Sequence, residues 1–129
     1  MDYVEYIYNE EVRPKTDYPK KLISYLIRRL KLPKGSQVLD LGCGRGDFSY
    51  AFASNGMKIM ATDLSDTILE HYSDIQFRKC DFTKEKLPYD DASFDVLFSK
   101  SVIEHMYYPE ELFTEGKRVL KPGGIIITM

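Results

Sequence analysis

The chain has 129 residues, of which 43% are hydrophobic and 29% charged, a balance typical of a folded globular domain and not of a disordered chain. Eighteen Lys and Arg against twenty Asp and Glu leave a net charge of −2, which lacks the basic excess that duplex nucleic acid or an anionic membrane requires. No apolar run approaches the roughly 20 residues that span a bilayer. We expect one domain over residues 1–129, a small-molecule ligand, no nucleic-acid partner and no membrane span.

The cysteines and the start of the chain bear on the cellular compartment. Cys43 and Cys80 lie 37 residues apart without a CxxC motif, which argues against a disulfide scaffold and a cysteine-rich zinc site. Residues 1–11 are acidic and rich in Tyr, unlike a signal or transit peptide. We therefore predict a cytoplasmic protein without a bound metal.

In chain order, residues 1–16 predict an irregular arm. Four tyrosines in or just after it either cover a ligand or pack on the core surface: Tyr3, Tyr6, Tyr8 and Tyr18. Asp17 and Pro19 open a helix that ends at Pro33-Lys34-Gly35. Residues 1–35 thus form an arm and a helix, and residues 36–129 form the core.

Strands and helices alternate through the core. The predicted strands are 37–41, 57–62, 75–80, 94–99 and 125–129. The predicted helices are 47–54, a helix capped by Ser65, and 109–120, with a sharp turn at 121–124 before the last strand. Strands that are apolar on both faces predict a three-layer α/β fold, in which helices cover both faces of a mostly parallel open sheet.

Three predicted strands end in a carboxylate: Asp40, Asp63 and Asp81. A lone Asp at a strand end is usually a turn former or a helix cap. Three on consecutive parallel strands point into one crevice at the carboxyl edge of the sheet, where open sheets bind ligands. Ser99 ends the fourth strand, and either contacts the same ligand or has a plain strand-end role.

A glycine-rich loop, Gly42-Cys43-Gly44-Arg45-Gly46, follows the first strand. Gly42 and Gly44 remove Cβ atoms where a ligand approaches the backbone, and the next helix points its N–H groups at that ligand. Cys43 is predicted to be a small buried residue of the loop.

The loop departs from a dinucleotide fingerprint, because its third glycine is Gly46 and the fingerprint position is Asp47. Asp40 and Asp47 would repel a pyrophosphate. S-adenosylmethionine fits better, since it carries a sulfonium and an α-ammonium group and no phosphate. Asp40 would hold the ammonium directly or through water, and Asp63 would accept from the ribose hydroxyls. At the adenine end, Asp81 would accept from the amino group, and Leu64 and Phe82 would form the apolar walls.

Over roughly residues 36–129 the chain resembles the class I S-adenosylmethionine-dependent methyltransferases. The similar segments are VLDLGCGRGDFS, ATDLS, CDFTKEKLPYDDASFDVLFSKSVIEH and EGKRVLKPGGIIIT, the last typical of the small-molecule branch related to ubiquinone and menaquinone biosynthesis enzymes. The resemblance implies a Rossmann-like sheet, a cofactor on its carboxyl edge, and methyl transfer to a small-molecule, lipid-precursor or sugar acceptor.

The resemblance also implies two further strands beyond the fifth, whereas the sequence stops at Met129. We therefore expect a shortened form, or a second copy that covers the exposed fifth strand. The alternative function is a module that binds S-adenosylmethionine or a partner without turnover. No catalytic residue is assigned. His105, beside Glu104, either deprotonates an acceptor hydroxyl or is a helix-start residue bonded to the backbone.

Overall fold

The structure is a computed structural model that describes residues 14–129. Tyr3, Tyr6 and Tyr8 and most of the predicted arm lie outside the described residues. Tyr18 is described, and its ring lies edge-on to the Phe48 ring with 6.2 Å between centroids. Within residues 14–129, no helix combines the length and apolar character that a membrane crossing requires.

Helices and strands alternate along the described chain, as the sequence predicts. In chain order the elements are α1 (Tyr18–Leu30), β1 (Gln37–Leu41), α2 (Asp47–Ser54), β2 (Lys58–Asp63), α3 (Ile68–His71), β3 (Gln76–Lys79), β4 (Phe94–Ser99), a 3-10 turn (Ile103–His105), α4 (Pro109–Val119) and β5 (Leu120–Thr128).

The five strands form one sheet in the order β3-β2-β1-β4-β5, and each neighbouring pair is parallel. The predicted α/β class is confirmed. Because the chain moves from β1 first to β2 and later to β4 on the opposite side, the strand order reverses at β1. A crevice therefore opens at the carboxyl ends of β1 and β4.

Side-chain alternation along β1 divides the core into two layers. Val38 packs with Ile23 of α1 and Phe52 of α2 on one face of the sheet. Leu39 packs on the other face with Leu112 of α4. Asp40 follows the parity of Val38, so its carboxylate points toward α2 and not toward α4.

Two predicted elements differ from the structure. The helix expected after Ser65 is a single turn, Ile68–His71, because Tyr72 leaves the helical conformation with a φ of −141° and a ψ of 71°. The fifth strand begins at Leu120 and not at Ile125. Leu120 pairs with Phe94 and Ile125 with Val96, so the predicted turn is an irregularity looped out within the strand.

Candidate functional site

The glycine-rich loop is fastened to β2 by its backbone. The N–H groups of Gly42 and Cys43 both donate to the Thr62 carbonyl, at 2.8 and 3.1 Å. Gly42 has a φ of +81°, and a Cβ on it would lie 2.4 Å from Cγ2 of Val102. The close approach of the loop to the segment after β4 therefore depends on glycine at this position.

Asp63, at the end of β2, joins the loop to the crevice. Its Oδ2 accepts from the Gly44 N–H at 2.8 Å, and its Oδ1 accepts from the Ser65 N–H at 3.2 Å. The carboxylate thus holds the loop while it also lines the main cavity of the site.

Gly46 packs against α3 and does not line the main cavity. It has a φ of +100°, and a Cβ on it would lie 2.4 Å from Cγ1 of Ile68 and 3.0 Å from the Tyr72 ring. Beside it, the Asp47 carboxylate accepts from Arg45 at 2.9 and 2.5 Å and from the Tyr72 hydroxyl at 2.8 Å. This cluster fixes the start of α2 against the α3 turn.

Asp40 is almost fully buried, with 2% of its surface exposed. Its Oδ2 accepts from the Ser49 hydroxyl at 2.6 Å. Burial is the main cause that raises the pKa of Asp40 to about 7, with a smaller contribution from the negative Asp63, while the Ser49 hydrogen bond opposes the rise. A small cavity of about 30 Å³ reaches Asp40 beside Gly42 and Lys100, and this volume accommodates one water.

The main cavity has a volume of about 350 Å³ and lies at the carboxyl edge of the sheet. Six residues that define it are Gly42, Gly44, Asp63, Phe82, Lys100 and His105. The glycine loop and β2 supply one side, and the segment after β4 supplies the other. The structure thus brings four predicted site residues (Gly42, Gly44, Asp63 and Phe82) together around one cavity.

The segment after β3 places Phe82 at the main cavity, whereas the Asp81 side chain forms a local hydrogen bond within the segment. Asp81 accepts from the Thr83 hydroxyl at 2.5 Å, and this bond is the main cause that lowers the pKa of Asp81. Arg118 of α4 holds the segment in place by donating to the carbonyls of Leu87 and Tyr89, at 3.0 and 2.8 Å.

Three further predicted residues do not line the main cavity. Cys43 is buried in the loop, as predicted, and burial followed by the charges of Asp40 and Asp63 raises the pKa of its thiol, which opposes a thiolate nucleophile. Leu64 is 58% exposed on the surface. Ser99 is buried, and its hydroxyl has no hydrogen-bond partner among residues 14–129.

Sequence reasoning missed Lys100 and chose its neighbour Ser99. A charged residue directly after an apolar strand was the available signal. His105, within the 3-10 turn, donates its backbone N–H to Val102 at 2.9 Å, and its Nε2 lies 3.9 Å from a Glu104 carboxylate oxygen. This placement is compatible with both hypotheses for His105, a base for an acceptor hydroxyl and a helix-start residue bonded to the backbone.

The arrangement fits a nucleoside with a cationic amino-acid tail. A glycine-lined wall admits close backbone approach, the Asp63 carboxylate lines the cavity, and Phe82 offers an aromatic surface. The carboxylates of Asp40, Asp47 and Asp63 lie on or beside the loop, where they would disfavour a pyrophosphate. Among the described residues, no cluster of His, Cys, Asp and Glu is arranged to hold a metal ion.

Several known methyltransferases are similar to this chain in sequence, and solved structures are similar to it in fold. The malonyl-[acyl-carrier protein] O-methyltransferase of Erwinia billingiae is 33% identical over 122 residues, which cover 93% of this chain and 47% of that protein. The demethylmenaquinone methyltransferase of Clavibacter sepedonicus is 35% identical over 100 residues, which cover 72% and 40%. The crystal structure of the PH0226 protein of Pyrococcus horikoshii superposes with a TM-score of 0.75 at 27% identity, covering 99% of this chain and 65% of that one.

The chain spans about half or less of the length of these two curated relatives. The family model described as a methyltransferase domain matches residues 39–128, which include the glycine-rich loop, the carboxylates at the strand ends and all of β5. The resemblance seen in the sequence is therefore confirmed, and the chain belongs to the methyltransferase domain family.

Proposed function

We propose that this chain carries the cofactor site of an S-adenosylmethionine-dependent methyltransferase that acts on a small molecule. The observation that carries the proposal is the cavity at the end of β1, where Gly42 and Gly44 line one wall and Asp63 both holds the loop and lines the cavity. We propose residues 36–129 as the cofactor-binding core of a single domain.

Each contact follows from the chemistry of the side chain. Asp63 accepts from the ribose hydroxyls, and Phe82 packs against the adenine. Asp81 accepts from the adenine amino group when that group replaces the Thr83 hydroxyl as its donor. Asp40 receives the α-ammonium through a water, because its carboxylate is buried behind the loop.

The remaining predicted contacts support the loop more than the ligand. Cys43 and Gly46 set the loop's shape, and Ser99 offers a buried hydroxyl beneath the crevice. Leu64 reaches the adenine only by folding over from its exposed position. The backbone N–H groups at the start of α2 face the methionine end.

When bound, the cofactor supplies a methyl group already activated on a sulfonium. The chain's own task is alignment of the acceptor with that methyl, which provides much of the rate without a dedicated acid or base. We therefore assign no catalytic residue. The acceptor is a small molecule, lipid precursor or sugar, since a net charge of −2 offers no footprint for nucleic acid. Cys43 and Cys80 are unpaired, which supports a reducing cytoplasm.

The alternative, a module that binds without turnover, gains no support from the named relatives, which are methyltransferases. We also propose edge pairing of two copies through β5, supported by the run Ile125–Ile127 on the outermost strand of the sheet that residues 14–129 form.

Calorimetric titration of the chain with S-adenosylmethionine and with NAD tests the cofactor. We expect saturable binding of the first and none of the second, and the reverse result overturns the proposal. Transfer of a labelled methyl group to a small molecule from a cell extract tests turnover. Binding without any labelled product at high protein concentration would favour the module over the enzyme.

A further inference from the structure

Lys100 occupies a distinctive position directly after β4. It lines the main cavity and also the small cavity that reaches Asp40. Its Nζ lies 5.3 Å from the centroid of the Phe48 ring, in the first turn of α2, so the ammonium leans toward the glycine-rich loop. Within residues 14–129, no carboxylate oxygen lies within 4.0 Å of that ammonium.

The charges around the loop single out this lysine. Asp40, Asp47 and Asp63 place three carboxylates at or beside the loop. The other nearby cation, Arg45, is 3% exposed and is bonded to Asp47 at 2.9 and 2.5 Å. Among residues 14–129, Lys100 therefore supplies a positive charge that lines both cavities and forms no ion pair with a described carboxylate.

An amino-acid tail carries its ammonium and its carboxylate on the same carbon, so a site for one needs opposite charges close together. Lys100 lines the main cavity and provides the cation for the carboxylate, while Asp40 reaches the ammonium through the one water that the small cavity beside Lys100 accommodates. We propose that Lys100 binds the α-carboxylate of the cofactor's methionine moiety, an assignment that rests on the proposed function. An acceptor carboxylate has the same chemistry, but the lean of the ammonium over Phe48 favours the cofactor tail.

Calorimetry with three ligands tests the assignment on the full chain: S-adenosylmethionine, its decarboxylated form, and 5′-methylthioadenosine, which lacks the whole amino-acid tail. The wild-type chain should bind S-adenosylmethionine more tightly than the decarboxylated form. Lys100→Met should raise the Kd for S-adenosylmethionine about tenfold or more, as expected for loss of a charge-assisted bond. It should leave the Kd for the decarboxylated form within about twofold, because that ligand never made the bond.

Two further variants sharpen the comparison. Lys100→Arg should retain most of the affinity, because it keeps a cation at the same place. Lys58→Met is the matched control, since Lys58 is exposed at the opposite end of β2. This variant should bind all three ligands as the wild type does. Lys100→Gln gives the same ligand comparison should the Met variant fold poorly.

The outcomes separate this assignment from the proposed function. Equal weakening of S-adenosylmethionine and its decarboxylated form in Lys100→Met, or no weakening of either, overturns the role of Lys100 alone. Weakened labelled-methyl transfer with unchanged cofactor Kd also overturns it, and assigns the lysine to an acceptor. A wild-type chain that binds none of the three ligands overturns the proposed function itself.

Discussion

The backbone N–H of Gly44 donates to Oδ2 of Asp63 at 2.8 Å, so the carboxylate that faces the cavity is also a support of the cavity wall. This bond joins the turn after β1 to the end of β2, across the neighbouring strands that form the site. Removal of the carboxylate therefore affects the ligand directly and also through the loop.

For Asp63→Ala we expect a loss of S-adenosylmethionine affinity of about 1.5–3 kcal/mol, because both ribose bonds and the Gly44 anchor disappear. Asp63→Asn should lose less, since its amide oxygen still accepts from Gly44. Calorimetry measures both, with Asp66→Ala, an exposed carboxylate three residues further on, as the control. Unchanged affinity in Asp63→Ala would show that the ribose lies elsewhere.

Gly46→Ala tests whether the third glycine serves packing. Its new Cβ would meet Ile68 at 2.4 Å in a backbone of φ +100°, so both a clash and backbone strain are expected. Gly123→Ala is the matched control, because Gly123 has a φ of +81° and open space around it. We expect thermal unfolding to show a loss of about 1 kcal/mol for Gly123→Ala and about 1–3 kcal/mol more for Gly46→Ala. Equal losses would contradict a packing role.

Arg118 ties the segment that carries Phe82 to α4, through the carbonyls of Leu87 and Tyr89 and the Glu115 carboxylate. Arg118→Lys keeps the charge and loses the planar fork, so the segment should open more often. Trypsin cleavage after Lys84 and Lys86 reports that opening. We expect faster cleavage at these two sites than in the wild type and in Lys117→Met, an exposed neighbour on α4. Unaltered cleavage would mean that other contacts hold the segment.

Local patterns were sufficient to predict the fold. The apolar run of β4, Phe94–Ser99, and the helix α2, Asp47–Ser54, agree with their predicted bounds, because each is a compact apolar segment closed by turn residues. The strand ends place Asp40, Gly42 and Asp63 at one edge for the same reason. Parallel strands bring their carboxyl ends together whatever the details of packing.

What the sequence could not reveal depends on contacts between distant segments. The sequence predicts that Gly46 approaches a ligand, whereas in the structure Ile68 packs against it. The sequence predicts that Asp40 is accessible to a ligand, whereas the alternation of side chains along β1 directs it toward Ser49. Leu64 and Phe82 have similar positions after their strands, yet Phe82 lines the cavity and Leu64 is exposed. Spacing alone does not distinguish these cases, since each is decided by which neighbour packs beside it.

The raised pKa of Asp40 predicts how the free energy of unfolding depends on pH. Its folded pKa of about 7 lies well above the usual value near 4. Below about pH 4 the carboxyl is protonated in both states and contributes no difference. Between about pH 4 and 7 the unfolded chain releases the proton while the folded chain retains it, so the free energy of unfolding falls as the pH rises. Above about pH 7 the buried negative charge is present in full and its cost is constant.

Asp40→Asn removes this titration while its amide oxygen still accepts from the Ser49 hydroxyl. The variant should therefore match the wild type near pH 4 and exceed it by about 1–3 kcal/mol at pH 8, in urea unfolding at both pH values. Asp74→Asn, at an exposed position, should show no such difference. If S-adenosylmethionine affinity falls in Asp40→Asn while stability rises, the buried carboxylate is retained for binding at a cost in stability. A variant no more stable than the wild type at pH 8 would contradict the raised pKa.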